Sequence, residues 1–142
     1  MIQVGEKLPS AKVQTMGAEG PLTHDVAELL GKGKVVLFAV PGAYTPTCSK
    51  AHLPGFVVNA DTFKAKGVDQ IVCMSVNDAF VMHAWGVANN AEHLLMLADG
   101  NADFSRALGL ESDASGFGMG TRSRRFALLI DNGIVKKVAV EQ

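Results

Sequence analysis

Apolar, β-branched runs recur along the chain at Val35–Val40, Ile71–Val76, Leu94–Ala98, Phe126–Ile130 and Ile134–Val140. The first three are continuously apolar over most of their length, which marks strands covered on both faces. Between them the period changes. Leu53, Phe56, Val57, Ala60 and Phe63 recur at spacings of three and four, one stripe of a helix that ends near Lys66-Gly67. Pro54 falls inside that stripe and should kink the helix or mark its irregular start. Asp78 is expected to cap a helix running to about Ala88, and Asp103 or its neighbours to start a short one ending at Gly109. Thr23 is expected to cap another, Asp25–Leu30.

The C-terminal part follows a different logic. Phe126–Asp131, the pair Asn132-Gly133 and Ile134–Val140 spell an antiparallel hairpin with a tight turn. The order is therefore strand, helix, strand, helix, strand, a short helix, then the hairpin. That predicts an α/β fold with a central mixed β-sheet flanked by helices. Right-handed crossovers leave few topologies, of which a thioredoxin-like sandwich is the most economical. The 142 residues contain no repeat, low-complexity tract or linker, so residues 1–142 are expected to form a single domain.

Composition narrows the function by exclusion. With 48% apolar and 19% charged residues, the chain has the balance of a folded domain with a real core. A net charge of -1 and 6% aromatic residues give neither a field nor a stacking platform for nucleic acid or a membrane surface. The first residues carry no basic-then-apolar leader, and the longest apolar runs are strand-sized. Two cysteines make no secreted disulfide framework, so a reducing, cytoplasmic setting is expected.

In that setting Cys48 stands out. Residues 41–48 read P-G-A-Y-T-P-T-C, two prolines and a glycine between the end of the Val35–Val40 strand and the Leu53–Phe63 helix. In open α/β sheets functional groups collect beyond the carboxyl ends of strands. Cys48 is expected in the first turn of the helix, where unpaired N–H groups and the positive dipole end stabilise a thiolate below its free value of about 8.5. Thr45 and Thr47 flank it; each can donate a hydrogen bond to the sulfur or to an attacked oxygen, or simply cap the helix, and on the residues alone both readings stay open.

The remaining candidates carry plainer readings. Cys73, inside Q-I-V-C-M-S-V, is expected to be a small core hydrophobe and to reach Cys48 only through local unfolding. No C-x-x-C or H-E-x-x-H is present and His24, His52, His83 and His93 are scattered, so no metal site is expected. His52 shares the helical face of Cys48 by its spacing of four, but no protease-like signature surrounds the pair. Residues 31–34, G-K-G-K, precede a strand and read as a turn, and Trp85 reads as packing for its helix. The run Thr121-Arg122-Ser123-Arg124-Arg125 gathers three of the four arginines just before a strand. Its plain reading is a solvated cluster. Its sharper one is a permanent cation leaning toward the Cys48 loop, lowering the thiol's pKa and binding an oxygen-rich substrate.

Taken together, P-G-A-Y-T-P-T-C-S-K-A-H-L-P-G-F, V-C-M-S-V-N-D-A-F-V-M-H-A-W-G and R-S-R-R-F-A-L-L-I-D-N-G-I-V-K resemble the peroxiredoxin-5 subgroup (type II in plants) of thiol peroxidases, from about Val4 to Val140. The resemblance implies that Cys48 is the peroxidatic cysteine, Thr45 the signature threonine, Pro41 the signature proline closing the pocket, and Arg125 the active-site arginine, with Arg122 and Arg124 matching less well. It implies reduction of hydrogen peroxide and alkyl hydroperoxides without cofactor, through a cysteine sulfenic acid. It also implies a homodimer formed near the active-site loops. Some relatives carry a C-terminal resolving cysteine that this chain lacks, so an external thiol is expected to reduce the sulfenate: glutathione with glutaredoxin, or thioredoxin. Family members usually continue past the final strand into another helix, so an end at Gln142 is expected to be a truncation. Two rival readings are a thiol–disulfide oxidoreductase, disfavoured by the missing C-x-x-C, and a redox-sensing or chaperone-like binding module switched by oxidation of Cys48.

Overall fold

The architecture grows outward from two strands that have no polar face. The structure is a computed structural model that describes residues 1–45 and 62–141. At its centre β3 (Lys34–Val40) lies parallel to β4 (Gln70–Ser75), in register from Val35 opposite Gln70 to Val40 opposite Ser75. Beside β4, β5 (Leu95–Ala98) continues the parallel set. Beside β3, β8 (Phe126–Asp131) runs antiparallel and forms a hairpin with β9 (Ile134–Val140). Asn132 and Gly133 both take positive φ, 48° and 82°, the geometry that a two-residue hairpin turn matched to strand twist requires. Between Leu129 and Ile130 the β8–β9 register slips by a bulge.

Burial alternates along β3 between two apolar layers. Val35, Leu37 and Ala39 pack on one side with Val26 and Leu30, near α1 (Val26–Leu29), and with Phe104 and Leu108 of α3 (Asp103–Leu108). Phe38 and Val40 pack on the other with Cys73 and with Ala79, Met82 and Trp85 of α2 (Ala79–Ala88). A sheet whose central strands are apolar on both faces needs helices on both, and they are there. Asp78 caps α2 as expected, accepting a hydrogen bond from the Val81 N–H at 2.8 Å. Trp85 is fully buried in this layer.

Of the helix expected over Leu53–Phe63, most of the stripe, with Pro54, lies outside the described residues. Its end is described: residues 62–65 are helical, and Gly67 turns the chain at a φ of 91°.

One expectation changes, and two features go beyond what the sequence predicts. Thr23 caps no helix, because it lies in β2 (Gly20–Asp25), which pairs with β1 (Lys12–Gly17) in a further hairpin beside β5. The cap of α1 is Asp25, two residues later, accepting from the Ala27 N–H at 3.0 Å. The short helix starts at Asp103, but its first turn is held by Asp99, 1% exposed, which accepts from the N–H groups of Phe104 and Ser105 and from the Ser105 hydroxyl. A small two-stranded sheet, β6 (Glu111–Asp113) with β7 (Thr121–Ser123), was not anticipated. The seven-stranded order is β2-β1-β5-β4-β3-β8-β9.

Asp25 supplies a pH-dependent element of stability. The Ser10 hydroxyl and then the Ala27 N–H hold its carboxyl below the ordinary value. A folded-state value below the unfolded one means the stabilisation is present above the unfolded carboxylate pKa of about 3.9 and is lost as pH falls through the folded value. Asp25→Ala is therefore expected to lower the thermal midpoint at pH 7 and to lose that deficit as the pH drops below about 4. Melting curves of both proteins across this range check it; a deficit that persists unchanged in acid rules it out.

Candidate active site

Because β3 and β4 are parallel and in register, the segments leaving them emerge side by side. After β3 come Pro41, Gly42, Ala43, Tyr44 and Thr45; after β4 come Val76, Asn77 and Asp78. A polar cross-link ties the two. The Asn77 side-chain oxygen accepts from the Ala43 N–H at 2.9 Å and from the fully buried Ser75 hydroxyl. One rung deeper, the Asp99 N–H donates to the Ser75 carbonyl at 3.0 Å, so the cap of α3 is continuous with this network.

Arg122, on β7, closes the same junction from a third direction. Its Nε donates to the Met119 carbonyl at 2.9 Å and its Nη1 to the Val76 carbonyl at 3.1 Å. Gly42 packs so closely here that a Cβ on it would lie 3.2 Å from Arg122 Nη1 and 3.1 Å from Thr45 Cγ2. A larger residue at 42 would press on both.

Within the turn, Tyr44 has a left-handed φ of 65°, a conformation that costs about 1–2 kcal/mol for a residue with a Cβ. Its ring lies 6.4 Å from that of Trp85, a contact that supports the strained geometry. Thr45 follows, and its hydroxyl donates to the Gly42 carbonyl at 2.7 Å. This revises the expectation for Thr45. Its one hydroxyl proton is committed to the turn, so Oγ1 faces any further partner as an acceptor.

Of the expected site residues that the structure describes, two share a cleft. Pro41 and Arg125 line one open cleft of about 510 Å³, together with Ser112, Arg122, Arg124 and Glu141. Arg125 is 14% exposed at its side chain, and its Nε lies 3.0 Å from Glu141 Oε2. Arg124 is exposed, whereas Arg122 is spent on backbone carbonyls; the three neighbouring arginines thus have different tasks. Cys48, Pro46, Thr47 and His52 lie outside the described residues. Cys73 is fully buried on β4, opposite Phe38 and Met96. Of the histidines, His24 pairs with the Thr15 hydroxyl at 2.8 Å, while His83 and His93 are exposed. Among the described residues no group of three or more His, Cys, Asp or Glu side chains is arranged to hold a metal ion, and no helix is long and apolar enough to cross a membrane.

Sequence reasoning gave no role to Asn77 or Glu141. The available signal for Asn77 was its place one turn beyond a buried strand, where a short amide side chain commonly holds a neighbouring backbone N–H. Glu141 carried no local signal, since only the β8–β9 pairing brings it to Arg125.

Fold and cleft together define a thioredoxin-like α/β protein whose functional loops gather at the carboxyl ends of parallel strands. Comparison with known proteins narrows the class. Residues 3–142 match the Redoxin family model. The chain is 53% identical to peroxiredoxin-2E-2, chloroplastic, of rice, over 99% of its own length and 65% of the relative's. It is 46% identical to peroxiredoxin-2D of Arabidopsis thaliana over 99% of its own length and 88% of the relative's. Reduced Prx3 of Vibrio vulnificus, crystallised with hydrogen peroxide, superposes with a TM-score of 0.97 at 60% identity, covering 100% of this chain and 89% of that one. The chain belongs to the peroxiredoxin family, a family of thiol-dependent peroxidases. That membership does not favour the reading of Cys48 as the switch of a binding module.

The cross-link at Asn77 is open to direct measurement. Asn77→Ala leaves the Ser75 hydroxyl and Ala43 N–H without their acceptor, and is expected to cost about 1–3 kcal/mol in urea unfolding. A wild-type midpoint in the variant would show that water replaces the amide.

Proposed function

We propose that this chain reduces hydrogen peroxide and alkyl hydroperoxides by one-cysteine turnover at Cys48, with Pro41, Thr45 and Arg125 as the residues that bind and polarise the peroxide. The observation carrying this reading is that Pro41 and Arg125 line one cleft at the carboxyl end of β3, where the chain leads through Thr45 toward Cys48.

The chemistry follows from the groups. The Cys48 thiolate attacks one peroxide oxygen, an S–O bond forms and the O–O bond breaks, and the sulfur is oxidised to a sulfenic acid. The departing oxygen gathers negative charge and leaves as water or an alcohol after taking a proton. A fixed guanidinium stabilises both the thiolate beforehand and the oxyanion as it forms. Thr45 Oγ1, its own proton held by Gly42, accepts the O–H of the incoming peroxide and orients it. Pro41, with no N–H to attract water, forms a half-buried wall of the cleft.

An external thiol then attacks the sulfenic sulfur, releasing water and leaving a mixed disulfide that a second thiol reduces. Full burial of Cys73 supports this route over an internal disulfide. We assign the reductant to the class of glutathione with glutaredoxin, or thioredoxin, and the setting to a reducing compartment such as the cytoplasm. In stopped-flow peroxide consumption by the reduced protein, Cys48→Ser is expected to abolish the reaction and Arg125→Ala to slow it about 100-fold or more. Equal rates for Cys48→Ser and wild type would sink the proposal.

The same loops support a homodimer. Tyr44, Phe80 and Phe117 are 54%, 65% and 86% exposed, from the segments after β3, after β4 and between β6 and β7. Large apolar side chains clustered on one end of a domain are the usual mark of a covered surface. The double variant Phe80→Asp, Phe117→Asp is expected to sediment as a monomer where the wild type sediments as a dimer. A wild-type monomer, or a variant that still dimerises, removes this assignment.

A further inference from the structure

Glu141 is bound to Arg125 twice. Its carboxylate Oε2 lies 3.0 Å from Arg125 Nε, and its backbone N–H donates to the Arg125 carbonyl at 2.9 Å. The backbone bond fixes where the carboxylate starts from, and the carboxylate in turn fixes the guanidinium. Glu141 is 62% exposed at its side chain, so this ion pair adds little to stability. What it controls is direction. A guanidinium is a rigid plane, and an anchor at Nε sets the orientation of the Nη edge. Among the described residues lining the two adjoining clefts that share Arg125, Glu141 is the one acidic side chain, beside Arg122, Arg124 and Arg125.

We propose that Glu141 is a positioning residue for the peroxidase reaction, holding the Arg125 fork by its Nε so that its Nη edge keeps the orientation that binds the peroxide. The inference rests on the role proposed above for Arg125. It is separable from a purely electrostatic effect by sign. Loss of a carboxylate near a thiolate favours the thiolate, so charge alone predicts equal or faster reaction when Glu141 is removed. Loss of orientation predicts a slower one.

The test compares the reduced full chain with Glu141→Ala, Glu141→Gln and Arg125→Ala. Two readings are taken: the second-order rate with hydrogen peroxide, and the pH profile of Cys48 alkylation by iodoacetamide, located by mass spectrometry. Glu141→Ala is expected to react about tenfold more slowly with peroxide. Its alkylation midpoint is expected at or below the wild-type pH. Glu141→Gln, whose amide oxygen still accepts from Nε, is expected to recover to within about threefold. A wild-type rate in Glu141→Ala, a Glu141→Gln as slow as the alanine variant, or a rate loss matched by a raised alkylation midpoint would each overturn the inference. A slow Arg125→Ala beside an unimpaired Glu141→Ala defeats the role of Glu141 alone, whereas an unimpaired Arg125→Ala defeats the reading of the cleft as well.

Discussion

The parallel pairing of β3 with β4 is the constraint on which the rest of the molecule depends. Six consecutive residue pairs keep the strands in step, from Val35 with Gln70 to Val40 with Ser75. Parallel strands must both end on the same side, so their exits share one patch of surface. The residues of the described cleft reach that patch from separate segments of the chain. Pro41 follows β3 directly, Arg122 arrives through β7, Arg125 precedes β8, and Glu141 follows β9. Because β8 runs antiparallel to β3, with Phe126 opposite Ala39, the arginine segment is delivered to the same end as the turn after β3.

Bringing loops together does not by itself hold them in shape. Backbone groups leaving a sheet lose their ladder partners and need others. Here the substitutes are side chains: Asn77 for the Ala43 N–H, and Arg122 for the carbonyls of Val76 and Met119. The turn between them carries Tyr44 in a left-handed conformation that an isolated peptide would leave. Such strain persists only where the surroundings over-determine it, and the Asn77 bond, the Arg122 contact at Gly42 and the Tyr44–Trp85 ring pair supply that determination. Thr45 inherits its orientation from this arrangement.

Much of this is legible in the amino-acid sequence. The continuous apolar runs read as doubly covered strands, and the Asn132-Gly133 turn read as a hairpin, because each feature is enforced by local chemistry. The hairpin of β1 and β2 was not legible for the opposite reason. At the sheet margin β2 shows no buried residue at all, so no apolar alternation marked it, and Thr23 passed for a helix cap. In the turn after β3, Pro41 and Thr45 carried a signal because a proline-rich break at a strand end is unusual. The division of labour among Arg122, Arg124 and Arg125 carried none. Identical residues within one short run are separated only by the pairing of β6 with β7 and of β8 with β3.

The bulge between Leu129 and Ile130 reaches further than its own hairpin. On β9, Val135 packs into the same layer as Val138 and Val140, an odd number of steps followed by an even one. A regular strand sends alternate residues to opposite faces, so this is possible only because the bulge absorbs one residue of the Lys136-Lys137 pair. The parity change is carried to the end of the strand. It places Val140 toward the Val35 layer and turns Glu141 to the opposite side, where Arg125 lies. Were both lysines held in a regular ladder without the bulge, every later residue of β9 would slip by one and Glu141 would point away from its arginine. The reading frame of the cleft is thus counted out in a stretch of exposed lysines that touches none of it.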